Sequence, residues 1–122
     1  MAKKTPRKKL VATLDKLFSL AVRAKAEKNY GGCFFDGKPI EHCFHFVTRS
    51  KHSVRWDFTN AEGSCAGCNF RMEFDPHPYI QWYIRKHGLP AYEDLIRRSN
   101  ERAGFSLADL EKRVAELKAV AN

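Results

Sequence analysis

The sequence has no long apolar run and no recognisable leader segment. None of its stretches approaches the roughly 18 to 20 consecutive apolar residues that a transmembrane helix requires. The N-terminus reads MAKKTPRKKL and is basic, but no apolar segment with a small-residue cleavage site follows it, as in a secretory signal. These absences argue against a membrane-spanning or secreted chain, and we expect a cytoplasmic protein.

Cysteine is scarce, with four residues in the chain. In a reducing compartment, four cysteines are metal ligands more often than disulfide partners. Cys65 and Cys68 are separated by two residues, which is the spacing of half a zinc site. The other two cysteines, Cys33 and Cys43, have no such spacing. A second pair would therefore have to be created by the fold.

Acidic residues are in the minority. The chain carries 14 Asp and Glu against 22 Lys and Arg, which gives a formal net charge of +8. Such an excess favours a polyanionic partner, and nucleic acid is the commonest one. The same charge could instead serve only solubility. With 43% hydrophobic residues in 122, the composition is typical of one folded domain.

Hydrophobic spacing and turn residues predict an α+β fold. Apolar residues at three- and four-residue steps indicate a helix over 10–28 that ends at two glycines. Two aromatic-rich runs around DGKP indicate a β-hairpin over 33–48. Residues 53–58 could be a short strand or an ordered loop. Four further helices are predicted: a short one from Cys65 or Ala66 to about 73, one ending at Gly88, one after Pro90, and a C-terminal one over 106–121.

Three regions follow from this pattern: a basic arm over 1–9, a zinc-binding domain with its N-terminal helix over 10–100, and a C-terminal amphipathic helix over 101–122. Such an arm is usually mobile and could order on a phosphate backbone. The C-terminal helix carries an apolar stripe that includes Leu110 and Leu117. This stripe either packs on the core or forms a homodimer.

The predicted hairpin would place Cys33 opposite Cys43 and so supply the missing pair. We therefore predict a structural zinc site with Cys33, Cys43, Cys65 and Cys68 as ligands. Two alternatives remain open on the residues alone. His42 or His45 could replace one cysteine, or Cys33 and Cys43 could be buried small hydrophobes.

The middle of the chain resembles the HNH, or ββα-metal, nucleases, and in particular the phage recombination endonucleases of the NinG/Rap type. The resemblance rests on Cys43 followed by HFVTR at 45–49, RWD at 55–57, Asn60 and CAGCN at 65–69. The upstream segment LDKLFSLAVRAK is also similar to the family's segment before its first cysteine. The resemblance covers about residues 10 to 98 and implies a small ββα-metal core.

The chain departs from this family at two positions. The family's first Cys-x-x-Cys reads Cys33-Phe-Phe-Asp36 here, so its second cysteine is absent, and Cys43 is the proposed replacement. Phe44 stands where the family has Gly and where many HNH enzymes have a metal-binding Asp. The resemblance therefore leaves the ligand shell of the catalytic metal open.

The resemblance implies a role for each of three residues. His45 matches the general base, which suits an imidazole because its pKa lies near neutrality. Asn60 matches the central Asn, whose side chain ties down the loop and holds the His. Asn69 matches the third position and would bind a catalytic divalent cation, usually Mg²⁺, which keeps several waters and needs few protein ligands.

Four further residues are candidates for the same site. Arg49 and Arg55 could contact the phosphate, and Asp57 could orient His45 or complete the metal shell. His52 could be a metal ligand, a phosphate contact or a surface residue. Each could also have an ordinary structural role, as a solvated charge or a turn cap.

The resemblance therefore predicts a zinc-stapled, Mg²⁺-dependent DNA endonuclease, with branched or recombination-intermediate DNA as a plausible substrate. It would work in the host cytoplasm if the chain is phage-encoded. The alternative is a non-catalytic zinc-binding module that binds nucleic acid. A redox protein that uses Cys65 and Cys68 is a weaker third reading, because it would need neither Asn60 nor a basic arm.

Overall fold

A computed structural model describes residues 5–121, and over this range the chain is a mixed α+β protein. No helix in this range is long and apolar enough to cross a membrane. The elements in chain order are helix α1 (Pro6–Tyr30), strand β1 (His42–His45), helix α2 (His52–Arg55), a 3₁₀ turn (Phe58–Asn60), strand β2 (Ala61–Ser64), and helices α3 (Ala66–Arg71), α4 (His77–His87), α5 (Leu89–Ser99) and α6 (Leu107–Ala121).

Helix α1 begins earlier than the hydrophobic pattern predicted. The Thr5 side chain accepts a hydrogen bond from the Lys8 amide at 3.2 Å, and Pro6 follows as the first helical residue. This pairing is a common helix start. The helix ends at Gly31, whose φ of 69° is left-handed. Residues 6–9 of the predicted arm are therefore helical, and residues 1–4 lie outside the described range.

The sheet has two antiparallel strands, but the predicted hairpin over 33–48 is wrong. Strand β1 pairs with β2, so that His42 lies opposite Ser64 and His45 opposite Ala61. The connection between the strands contains α2 and the 3₁₀ turn. Residues 53–55 of the segment 53–58, considered as a short strand or an ordered loop, are thus helical.

The DGKP segment forms a tight turn rather than the tip of a hairpin. The Gly37 amide donates to the Cys33 carbonyl at 2.9 Å, and the Cys33 amide donates to the Lys38 carbonyl at 2.8 Å. The Asp36 carboxylate accepts from the Lys38 amide at 3.1 Å. An Asp side chain that binds the backbone two residues on stabilises a turn locally. The Asp-Gly signal was therefore a correct turn signal, but the turn joins no strands.

Helix α1 lies directly against strand β2 at Gly63. A Cβ atom placed on Gly63 would lie 2.7 Å from the Ala26 Cβ and 3.2 Å from the Arg23 Cα. Real Cβ atoms do not approach other atoms so closely, so this position requires glycine for contact rather than for backbone conformation. The absence of a side chain lets helix and strand touch.

The core has two parts. In the first, Leu110, Val114 and Leu117 of α6 are buried with Leu14 and Phe18 of α1. The C-terminal stripe is thus used for packing within the chain.

The second part is an aromatic cluster that joins the sheet to α4. Phe44 is fully buried at its centre, with ring centroids 5.0 Å from Phe34 and 5.1 Å from both Phe46 and Tyr79. Burial of such rings is a major source of stability. Phe44 therefore has a packing role.

Candidate functional site

Three cysteines and one aspartate form a cluster that could hold a metal ion. The ligand atoms of Cys33, Asp36, Cys65 and Cys68 all lie within 4.8 Å of one another. Two residues come from the tight turn after α1 and two from the start of α3. Three thiols and a carboxylate are a donor set that zinc accepts in tetrahedral geometry. The cluster is therefore compatible with a structural zinc site.

Backbone amides already point at the sulfur atoms. The Phe35 amide donates to the Cys33 Sγ at 3.5 Å, and the Cys68 amide donates to the Cys65 Sγ at 3.3 Å. Such outer contacts orient ligands and stabilise the negative charge that thiolates carry. Both turns thus have the local geometry of metal-binding knuckles.

Asp36 is negatively charged in this environment. Desolvation alone would raise the pKa of Asp36, but the Lys38 amide and the three cysteine thiols outweigh it and lower the pKa to about 2. The thiols of Cys65 and Cys68 donate to one Asp36 oxygen at 3.2 and 3.3 Å. The ionised carboxylate thus accepts a hydrogen bond from each of the two thiols. A bound metal would take the place of the thiol protons.

Cys43 does not belong to this cluster, contrary to the ligand set predicted from the sequence. It lies on β1, opposite Gly63, and is half-buried. Burial raises the pKa of its thiol to about 12, so it is a neutral thiol near pH 7. The prediction depended on a hairpin that would bring Cys43 to Cys33. The chain instead uses Asp36 of the Cys33 turn itself.

His45 is held by a backbone carbonyl. Its Nε2 lies 3.0 Å from the Arg55 carbonyl oxygen, and because a carbonyl only accepts, Nε2 carries the proton. Nδ1 is then the basic nitrogen of the neutral ring. Desolvation lowers the pKa of His45 below its usual 6.5, and the hydrogen bond to Arg55 offsets this only in part. His45 is therefore neutral at pH 7.

Asn60 closes the loop between the strands. It is fully buried, and its Oδ1 accepts from the Val47 amide at 2.7 Å. Its Nδ2 donates to the carbonyls of Val47 at 3.0 Å and Val54 at 3.1 Å. One side chain thus links the segment after His45 to helix α2, which carries the carbonyl that binds the imidazole. This is the geometry that the resemblance implied for the central Asn.

Asp15 of α1 anchors the other side of the same helix. Its two oxygens accept from Arg55 Nε and Nη2 at 3.0 and 2.6 Å, and Oδ1 also accepts from the Trp56 indole at 2.9 Å. Desolvation opposes ionisation of Asp15, but these donors outweigh it and lower its pKa. The bidentate pair holds Arg55, and Arg55 holds His45.

His45 and Asn69 line the same cavity, which has a volume of about 700 Å³. One wall comes from α1, with Asp15 and Arg23, and a second from β1. The third is the segment of α3 that carries Asn69 and the turn that follows it. The cavity brings two of the predicted catalytic residues together, from elements 24 positions apart in the sequence.

Charged groups of both signs surround this cavity. Arg23 and Arg49 line it with the carboxylates of Glu41 and Glu73. Glu73 lies four residues after Asn69, in a turn whose amide donates to the Phe70 carbonyl at 3.2 Å. Asn69 and Glu73 both line the cavity. A carboxamide and a carboxylate group therefore belong to the same wall.

Three other predicted site residues, Asp57, His52 and Arg55, either line a different cavity or are bound to other side chains. Asp57 accepts from the Thr59 amide at 2.8 Å and forms an ion pair with Arg98. Desolvation opposes ionisation, but these hydrogen bonds from Thr59 and Arg98 lower the pKa of Asp57. Together with His52, Asp57 lines a separate cavity beside α6. The structure therefore does not bring Asp57 or His52 to His45, and Arg55 is occupied by Asp15.

Sequence reasoning missed Asp36 as a member of the cluster and Asp15 as an anchor. The signal for Asp36 was present, because Cys33-Phe-Phe-Asp36 keeps the spacing of a Cys-x-x-Cys pair. No local signal marks Asp15, which lies 40 residues before its partner Arg55.

Searches against protein-family models, curated proteins and solved structures found no match to the chain.

Proposed function

We propose that this protein is a metal-dependent DNA endonuclease of the HNH class that hydrolyses phosphodiester bonds. The observation that carries the proposal is the shared cavity of His45 and Asn69. The restraint of His45 by Asn60 and the Arg55 carbonyl supports it. The net charge of +8 favours a polyanionic substrate.

His45 is the proposed general base. Its Nε2 is bonded to the Arg55 carbonyl, so Nδ1 is the atom that would accept the proton of the attacking water. A base must be unprotonated at the working pH. The lowered pKa of His45 keeps the ring in that form at neutral pH. Asn60 and Asp15 do not act on the substrate and have positioning roles.

Asn69 is the proposed ligand of the catalytic cation, with Glu73 beside it. Carboxamide and carboxylate oxygens are the donors that Mg²⁺ accepts in proteins, where it also keeps several waters. When bound, such a cation would stabilise the charge on the phosphate and on the leaving oxygen. Phe44 contributes no ligand, since it is buried in the aromatic core.

Zinc is the proposed structural ion, with Cys33, Asp36, Cys65 and Cys68 as its ligands. An ion held by these four residues would join the turn after α1 to the start of α3. Asn69 follows the last of these ligands directly, so the same ion would also fix Asn69 relative to the turn after α1.

Arg49 is the proposed phosphate contact. It is exposed at the cavity and has no ion-pair partner among residues 5–121. Recombination intermediates or other branched DNA are the proposed substrates, on the resemblance alone.

The test is cleavage of supercoiled plasmid, single-stranded DNA and a four-way junction, with and without Mg²⁺. The wild type should cut in Mg²⁺, and His45→Ala should lose at least about 100-fold in rate, as expected for a general base. His77→Ala, a change of an exposed His at the start of α4, is the matched control and should cut normally. If His45→Ala keeps its zinc and still cuts at the wild-type rate, the proposed base is wrong.

One observation favours the alternative of a non-catalytic zinc-binding nucleic-acid module. Phe44 occupies the core where many HNH enzymes carry a metal-binding Asp. This module would bind the same DNA without cutting it in Mg²⁺ or Mn²⁺. The same assay, run with a parallel binding measurement, separates the two functions.

A further inference from the structure

An exposed pair of aromatic rings lies beside the candidate site. Phe70 and Phe74 are 65% and 66% exposed, although large apolar side chains are usually covered. Their ring centroids are 5.3 Å apart in an edge-to-face arrangement. The Phe74 amide donates to the Arg71 carbonyl at 3.2 Å, which continues the helical turn and puts the two rings on one face.

This aromatic face is adjacent to the face that lines the cavity. Asn69 and Glu73 each precede one of the two rings in the sequence, and both line the cavity. Residues adjacent in the chain have Cα atoms about 3.8 Å apart, so each ring starts next to a residue that lines the cavity. The rings therefore lie within one nucleotide's reach of a phosphate bound at Asn69.

The pair is too small for a protein interface. If a Phe ring has roughly 200 Å² to bury, the two together offer about 260 Å² at their observed exposure. A stable interface needs about 800 Å² from each partner. One or two nucleobases, in contrast, need only a ring each. Arg71, which follows Phe70 directly in the sequence and is exposed, donates to the Tyr79 hydroxyl at 3.4 Å and carries charge complementary to a phosphate.

We infer that Phe70 and Phe74 stack on unpaired bases of a nucleic-acid strand whose phosphate enters the cavity, so that the site prefers single-stranded or branched DNA over continuous duplex. This inference rests on the proposed function for its ligand. Stacking fits because every base has an aromatic face and an exposed ring can reach it only where pairing is broken. Glu73 and Asp75, which flank Phe74, would disfavour binding by charge alone. The rings are therefore needed for affinity.

The test is fluorescence anisotropy with a labelled 12-nucleotide strand and with the matching duplex, without added Mg²⁺. The double variant Phe70→Leu/Phe74→Leu should bind the single strand about 10- to 100-fold more weakly, and the duplex within about twofold. Phe70→Tyr/Phe74→Tyr should restore single-strand binding, because it restores the rings. Leu89→Ala, another exposed apolar residue, is the control and should change neither affinity.

Equal losses for single strand and duplex, or wild-type affinity in the leucine variant, would overturn the inference. Retained zinc and circular dichroism show that the variants are folded. The two proposals fail separately. If binding depends on the rings but no cleavage occurs, the nuclease proposal is refuted and the stacking role stands. If cleavage depends on His45 but binding does not depend on the rings, the stacking role is refuted and the nuclease proposal stands.

Discussion

Replacing Asn60 by alanine should destabilise the protein severely, although one small polar side chain is all that changes. The substitution removes three hydrogen bonds, from the Val47 amide and to the carbonyls of Val47 and Val54. Each is worth about 1 kcal/mol, and a buried group left unpaired costs about 1–3 kcal/mol more. We therefore expect a loss of about 3–5 kcal/mol, a large part of the roughly 5–15 kcal/mol that stabilises a typical domain.

The assay is urea unfolding at a fixed zinc concentration, since bound metal contributes to apparent stability. Asn69→Ala is the matched control, because Asn69 is only half-buried and its replacement should cost less than about 1 kcal/mol. Asn60→Asp should be as harmful as Asn60→Ala, since it turns a carboxylate oxygen toward two carbonyls. A loss below about 1 kcal/mol for Asn60→Ala would refute the reasoning.

Three further predictions concern the metal and the base. Asp36→Ala should weaken zinc affinity by more than about 100-fold in chelator competition, since even changes to residues that only contact a ligand cost roughly 10- to 100-fold. Asp36→Cys should keep one zinc per chain, and Cys43→Ser should leave the zinc content unchanged. A loss of zinc in Cys43→Ser would restore Cys43 as a ligand. Asp15→Asn should lower stability by about 1–3 kcal/mol and reduce cleavage by misplacing the Arg55 carbonyl, which a shifted acid limb of the pH–rate profile would reveal; an unchanged profile contradicts this role. Because the pKa of His45 is lowered from 6.5, its base form persists on acidification, and the cleavage rate should hold until the pH falls below 6.5; a midpoint above 6.5 at constant zinc content would contradict the assignment.

Local signals in the sequence predicted the helices well. The Ser106 and Asp109 pair forms a capping box at the start of the predicted C-terminal helix, with hydrogen bonds of 2.9 and 3.1 Å. Gly31 and Gly88 end helices as predicted, and Cys65 is the N-cap of the short helix that carries Asn69. These features depend on residues a few positions apart, so the sequence determines them directly.

Pairing between distant segments could not be read in the same way. An Asp-Gly turn is compatible with both a β-hairpin and a metal-binding knuckle. Which of the two forms here depends on contacts of Asp36 with Cys65 and Cys68, about 30 residues further along the chain. The prediction of Cys43 as a ligand depended on sulfur as the donor and on the hairpin. The structure places Asp36, and not Cys43, in the cluster with Cys33, Cys65 and Cys68, and the reason is topological.

The candidate site was predictable where the motif is local and not where it depends on tertiary contacts. The resemblance predicted His45, Asn60 and Asn69 as site residues, and the structure brings His45 and Asn69 to one cavity. Asp57 was predicted as a site residue because a carboxylate could orient His45 or bind a metal ion, but it forms an ion pair with Arg98. Chemical type alone does not show which way a side chain is directed.

The contact at Gly63 has a mechanical consequence. Ala26 and Arg23 of α1 contact this glycine directly. The wall of the cavity that α1 forms is therefore packed tightly against the sheet that carries His45, and these two walls do not separate from each other. A substrate of the proposed kind would therefore meet a cleft of fixed width between these two walls. Any change of width would come from the opposite side, where Asn69 follows the candidate metal-binding cluster.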